Sequence, residues 1–267
     1  MKQYIPFLKS DPVVPVIRLQ GAIAASARGG TLSDQAMAAT IEKAFRKGKP
    51  AAVALAINSP GGSPAQSSLI AARIRQLADE KKIPVHAFVE DVAASGGYWL
   101  ACAADDIWVD DSSIVGSIGV ISASFGLHEA IGKLGIERRV HTAGKDKSML
   151  DPFRPERAED IERLKGIQSQ IHTSFISHVT RRRGDRLAEG QDLFSGEFWV
   201  GQTGVDLGLA DGIGHLVPKL KELYGDKVRF APMGPKRGLL QRFGVSLGQS
   251  VLGPVEDQAL WSRYGLA

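Results

Sequence analysis

A chain of 267 residues, 43% of them hydrophobic, can bury one sizeable core and suits a single α/β domain. Its 33 basic and 29 acidic residues leave a net charge of +4, and no aromatic residues alternate with the basic clusters, so nucleic acid is not an expected partner. The single cysteine, Cys102, excludes an internal disulfide, and its small apolar neighbours mark it as a packed thiol.

Residues 1–11 carry two lysines and an aspartate, and Pro6, Pro12 and Pro15 interrupt any apolar run, so no signal peptide is read there. No stretch approaches the ~20 apolar residues of a membrane span. The chain is expected to be soluble, in the cytoplasm or peripheral to a membrane. Val13–Gln20 predicts a strand closed by Gly21, and 31–47 a helix capped by Ser33 with Met37, Ile41 and Phe45 on one face. The apolar run 51–57 suits a strand buried on both faces. A helix over 68–81, a strand over 84–89, a helix over 95–104 and a strand over 107–109 come next. This alternation predicts an α/β fold with a mostly parallel sheet.

Further on, 116–122 reads as a strand, 127–134 as a helix, and 140–147 as an extended segment that becomes a loop. Residues 155–182 predict a long polar helix, with Ile161, Leu164, Ile167, Ile171, Phe175 and Val179 recurring at threes and fours. Residues 198–214 are compact and glycine-rich, and Leu216–Tyr224 reads as a helix. No linker is visible before about Pro232. The expected division is one domain over 1–231 and a C-terminal extension over 232–267 that packs on the domain or on a neighbouring subunit.

Three segments carry candidate chemistry. Asn58-Ser59-Pro60-Gly61-Gly62 ends a buried strand with two glycines that let backbone N–H groups face a ligand, as an oxyanion site needs, although a plain turn explains them equally well. Ser95 comes after an apolar strand and opens a helix through Gly96-Gly97. Taken alone, it reads as a helix cap more readily than as a nucleophile. Serine needs a neighbouring base. Lys147 is a candidate, with Ser148-Met149-Leu150 to help bury it, and Lys145 is its rival. A lysine works as a base only where its surroundings favour the neutral amine. No His-Glu-x-x-His or Cys/His spacing suggests a metal. His128 and His141 lie downstream of Ser95 and keep a Ser-His pair open.

Five ordered motifs join these segments: Ile57-Asn58-Ser59-Pro60-Gly61-Gly62; Ala94-Ser95-Gly96-Gly97-Tyr98; Gly116-Ser117-Ile118-Gly119-Val120; Lys147-Ser148 with Pro152-Phe153; and Gly201-Gln202 ahead of Gly208-Leu209-Ala210-Asp211 and Ile213-Gly214. Together they resemble the signal peptide peptidase A (protease IV) type of serine peptidase. The resemblance implies a Clp-protease/crotonase-like fold of stacked βαβ units and a Ser-Lys dyad. It makes Ser95 the nucleophile and Lys147 the general base, with Gly62 and Gly96 as oxyanion donors and no cofactor. Ser117 and Ser122 are candidates to orient the lysine.

The implied activity is endopeptidase cleavage of short hydrophobic peptides, such as remnant signal peptides, through an acyl-enzyme. The chain is half the length of tandem-repeat members and resembles the short ones, which assemble into rings whose dyads can form across subunits. The basic, apolar tail 235–243 could rest on an anionic membrane surface, although packing on a neighbouring subunit suits its glycines better. Two alternatives share the fold: a crotonase-like acyl-CoA enzyme and a non-catalytic assembly protein.

Overall fold

The computed structural model describes residues 11–25, 31–46, 49–144, 146–234, 258 and 260–266. The first strand, β1 (Val13–Gln20), forms where apolar patterning places it, and the second, β2 (Val53–Ser59), begins two residues after the expected start and runs on through Asn58 and Ser59. All of β2 is buried, as a central parallel strand requires. Between them, α1 (Asp34–Arg46) buries Met37, Ile41, Ala44 and Phe45, and Ser33 Oγ accepts the Ala36 N–H at 3.2 Å. The next helix, α2 (Pro64–Lys81), starts at Pro64 rather than Ser68. Ser63 accepts the Gln66 N–H, and Pro64 lacks only an N–H that the first turn leaves unused. Arg73 forks onto Asp34 through two 2.7 Å bonds and ties α2 to α1.

Strand β3 (Val85–Ala94) continues past Val89, through the polar pair Glu90-Asp91. It leads into α3 (Gly96–Ala101), β4 (Asp106–Val109) and β5 (Ile114–Gly116). The strand expected over 116–122 is corrected here: β5 ends at Gly116. Gly116 and Ser117 have φ of +105° and +51°, which no continuing strand accommodates. No strand occurs in the described residues of 140–147. Near the C-terminus come β6 (Phe198–Val200), α6 (Gly201–Asp206), β7 (Gly212–Ile213), α7 (Leu216–Tyr224) and β8 (Arg229–Met233).

The sheet order is β6-β5-β3-β2-β1-β8, with β4 beside β3 and β7 beside β4. Every pair is parallel except β5 with β6. α1 packs on β1, and α3 on β2 and β3. A cluster joins Val14, Val16, Ala54 and Phe88 to Leu220 of α7. Strand β8 crosses the expected 231/232 boundary and pairs with β1 at the sheet edge, where Pro232 is tolerated. Beyond it, Trp261 and Tyr264 pack on Val92 and Ala94. The tail 235–243 lies outside the described residues.

The chain divides into two compact units: residues up to Ile118 together with those from Ile176 onward, and Gly119–Phe175. The second unit holds α4 (His128–Lys133), none of whose residues is buried, and the first eighteen residues of α5 (Ala158–Arg183). Polar ties within it join Leu127 N–H to Pro152 O at 2.6 Å, Arg138 to Asp151 at 3.0 Å and Arg163 to Asp146 at 2.6 Å. Ile121, Phe125, Leu134 and Ile136 are exposed, Phe125 by 85%.

The last turns of α5 belong to the first unit. There buried Arg183 donates to Gly208 O at 2.8 Å and to Asp211 at 2.7 Å, and the Tyr98 hydroxyl donates to Leu209 O at 2.8 Å. The Gly208–Asp211 motif thus anchors a helix end. Cys102 is buried, and burial pushes its thiol up to about 12, as suits an inert packed residue.

His178 stacks on Trp99 of α3 with ring centroids 5.1 Å apart, and its Nε2–H donates to the Trp99 carbonyl at 3.1 Å. Burial holds its pKa down to about 4, and Arg181 and Arg182 oppose its charge further. Between pH 6.5 and 4 the unfolded chain binds a proton here that the native state refuses, so stability falls as pH falls. The melting temperature is expected to drop across that window, by the equivalent of about 3 kcal/mol from this group. His178→Gln should flatten the slope, and a slope identical to wild type would refute the assignment.

Candidate active site

Ser95 stands at the elbow between β3 and α3 with φ 52° and ψ −120°. That backbone conformation is unfavourable for any residue but glycine and costs about 1–3 kcal/mol. It persists because neighbours hold it: the Ser95 N–H donates to Gly116 O at 2.8 Å, and Ser95 O accepts the Trp99 N–H at 3.0 Å. The side chain makes no capping hydrogen bond, so the helix-cap reading of Ser95 is corrected. Ser95 is partly exposed on a strained strand-to-helix turn, a geometry in which a serine nucleophile can be presented.

The Asn58–Gly62 turn packs directly on this elbow. Gly61 has φ +102°, and a Cβ on it would lie 2.8 Å from Ala94 O, Gly96 N and Ser95 Cβ. Gly62 has φ +135°, and its Cβ would fall 2.1 Å from Ile23 O. A Cβ on Gly96 would lie 3.3 Å from the Gly62 nitrogen. The glycines are therefore required by close backbone approach as well as by turning. Ile23 fixes the turn from outside, donating to Gly61 O at 2.8 Å and accepting the Ser63 N–H at 2.7 Å. Neither the Gly62 nor the Gly96 N–H enters a hydrogen bond among the described residues. Ser95, Gly62 and Gly96 are thus brought together within the first unit.

Lys147 lies in the second unit, in a turn where its N–H donates to Gly144 O at 3.3 Å. It is exposed, so Ser148-Met149-Leu150 do not bury it as expected. Lys145 lies outside the described residues. Ser122 is exposed in the second unit. Ser117 is buried in the first, and its Oγ accepts the Tyr264 hydroxyl at 3.3 Å, a contact that no local sequence pattern announces.

The histidines of the first unit are otherwise engaged. His86 bonds Asp106 at 2.8 Å and Tyr224 at 2.7 Å, His215 bonds Asp110 at 2.8 Å, and His178 bonds Trp99. His128 and His141 lie in the second unit. Among the described residues no group of three or more His, Cys, Asp or Glu could hold a metal ion.

A family model for peptidase family S49 matches residues 77–225, more than half of the chain, including Ser95 and Lys147. The chain belongs to peptidase family S49. It is 49% identical over 286 aligned residues to the Na(+)/H(+) antiporter NhaA of Brucella melitensis biotype 1, a match covering 100% of this chain and 39% of that protein. It is 31% identical over 212 residues to the chloroplastic serine protease SPPA of Arabidopsis thaliana, covering 76% of this chain and 31% of that protein. The chain therefore spans less than half the length of either relative. No helix among the described residues is long and apolar enough to cross a membrane.

Among solved structures, the 1510-N membrane-bound stomatin-specific protease superposes with a TM-score of 0.52 at 14% identity. That match covers 85% of this chain and 100% of the other. This S49 chain has the Clp-protease/crotonase-like fold, a mostly parallel α/β sheet with helices.

Proposed function

We propose that this chain is a serine-type endopeptidase in which Ser95 is the nucleophile and Lys147 the general base. The observation that carries the reading is the strained, partly exposed Ser95 elbow, packed against a turn whose Gly62 N–H, like that of Gly96, is unengaged among the described residues. Membership of family S49 and the likeness to a relative named as a serine protease support it. Ser95 Oγ attacks the peptide carbonyl carbon while neutral Lys147 Nζ takes the hydroxyl proton. The Gly62 and Gly96 N–H groups receive the oxyanion, and losing one such donor costs about 3–4 kcal/mol of barrier. Collapse expels the amine, protonated by Lys147, and water hydrolyses the acyl ester on Ser95. Ser117 is the better candidate to orient the lysine, being buried and already hydrogen-bonded, while Ser122 is exposed.

The proposed substrates are short hydrophobic peptides, including remnant signal peptides, and the working form is a homo-oligomeric ring in peripheral contact with a membrane. Two features of the second unit support an oligomer. Lys147 is exposed and must be desolvated to act as a neutral base. Phe125, Ile121 and Leu134 project apolar surface that a neighbouring subunit would cover.

The test is the pH dependence of kcat/KM for a hydrophobic peptide. Only a neutral amine accepts a proton, so activity is expected to rise with pH between 6 and 9. A flat profile from pH 6 to 9, with chemistry rate-limiting, would overturn the assignment of a lysine base.

A further inference from the structure

We propose that Asn58 is a positioning residue for Ser95, acting through Asp91 on a bulge in β3. The proposal rests on reading Ser95 as the nucleophile. Between the pairs Ile57↔Val89 and Ser59↔Ala93, β2 advances two residues while β3 advances four. Glu90, Asp91 and Val92 therefore face the single residue Asn58. Before the bulge β3 pairs with β4, and after it with β5. A bulge bends its strand and re-aims the residues beyond it, and Ser95 stands only a few positions further along the chain. A loose bulge would let the strand end relax and release the φ of +52° at Ser95.

Three side chains hold this bulge. Asn58 Nδ2 donates to the Asp91 carboxylate at 2.5 Å. Arg18 donates to both Glu90 oxygens, at 2.5 and 2.6 Å. Buried Ser113 donates through Oγ to Glu90 O at 2.5 Å. The Arg18–Glu90 pair is 55% and 38% exposed, so it contributes little. Asn58 is only 8% exposed, and its Oδ1 has no hydrogen-bond partner among the described residues. Its amide is therefore oriented by Asp91, because a flipped amide would set Oδ1 against the carboxylate.

Asn58 is also the next-to-last residue of β2, just ahead of the turn that carries Gly62, and its carbonyl accepts the Gly21 N–H at 2.9 Å. One side chain thus couples the oxyanion turn to the strand that delivers the nucleophile. Misplacing reacting groups by about 1 Å can cost about a hundredfold in rate. Asn58 is the member of the Asn-Ser-Pro-Gly-Gly motif that neither the oxyanion site nor the turn itself explains.

The experiment measures kcat and KM for peptide cleavage, with melting temperatures, in four variants. Asn58→Asp sets two carboxylates together and is expected to lower kcat about a hundredfold while KM changes little. The swap Asn58→Asp with Asp91→Asn restores the bond with donor and acceptor exchanged, and is expected to recover most of that loss. Wild-type kcat in Asn58→Asp, or a swap as slow as the single variant, would overturn the positioning role. Should Asn58→Asp fail to fold, Asp91→Ala decides: a kcat loss of about tenfold or more at unchanged KM supports it, and wild-type kcat overturns it. Ser95→Ala is run beside them. If it is inactive while Asn58→Asp keeps wild-type kcat, only the positioning role fails. If Ser95→Ala is active, the reading of Ser95 fails instead.

Discussion

Replacing Ser95 with alanine is expected to abolish peptide cleavage, a loss of at least about ten-thousandfold in kcat, with the melting temperature near wild type. Alanine meets the same steric objection to φ +52° as serine does, so the fold is neither relieved nor further strained. Glycine does relieve it. Ser95→Gly should be equally inactive yet melt higher than Ser95→Ala, by the equivalent of about 1–3 kcal/mol. The pair separates the two parts of the proposal: that the hydroxyl performs the chemistry, and that the strained backbone presents it. A Ser95→Gly variant melting no higher than Ser95→Ala would contradict the strain argument even with both variants inactive.

Lys147→Ala is expected to cost about ten-thousandfold in kcat as well, because an unassisted serine hydroxyl does not shed its proton at neutral pH. Lys145→Ala should stay near wild type, and an inactive Lys145→Ala beside an active Lys147→Ala would exchange the roles of the two lysines. Mixing the two inactive variants, Ser95→Ala and Lys147→Ala, and letting subunits exchange is expected to restore activity, because an interface pairing one intact Ser95 with one intact Lys147 then forms. Peptide turnover by the mixture, compared with each variant alone, reads this directly. The expectation comes from the exposure of Lys147 on a unit whose apolar side chains remain uncovered in the single chain.

Much of the sheet was legible because burial leaves a local signature. Five of the seven buried residues of β2, Val53 to Ile57, form a continuous apolar run, and Met37, Ile41 and Phe45 repeat at the helical period. The continuation of β3 through Glu90-Asp91 was not legible, since two acidic residues look like the end of a strand until Asn58, Arg18 and Ser113 supply partners from elsewhere in the chain. Strand β8 was hidden by its brevity and by Pro232, which an edge position permits. At the site, the glycines and Ser95 were visible as residue types. The conformation that distinguishes a presented nucleophile from a helix cap was not, because φ at a serine depends on the turn packed against it. The Tyr264–Ser117 contact joins residues 147 positions apart and has no local signal at all.

The central claim is that Ser95 is an activated nucleophile. Its most direct measurement is intact-mass and peptide-mapping mass spectrometry of the wild-type protein after treatment with a serine-reactive phosphonate. The predicted result is a single adduct on the peptide containing Ser95, absent from Ser95→Ala. No adduct, or an adduct on another serine with Ser95 unmodified, would contradict it.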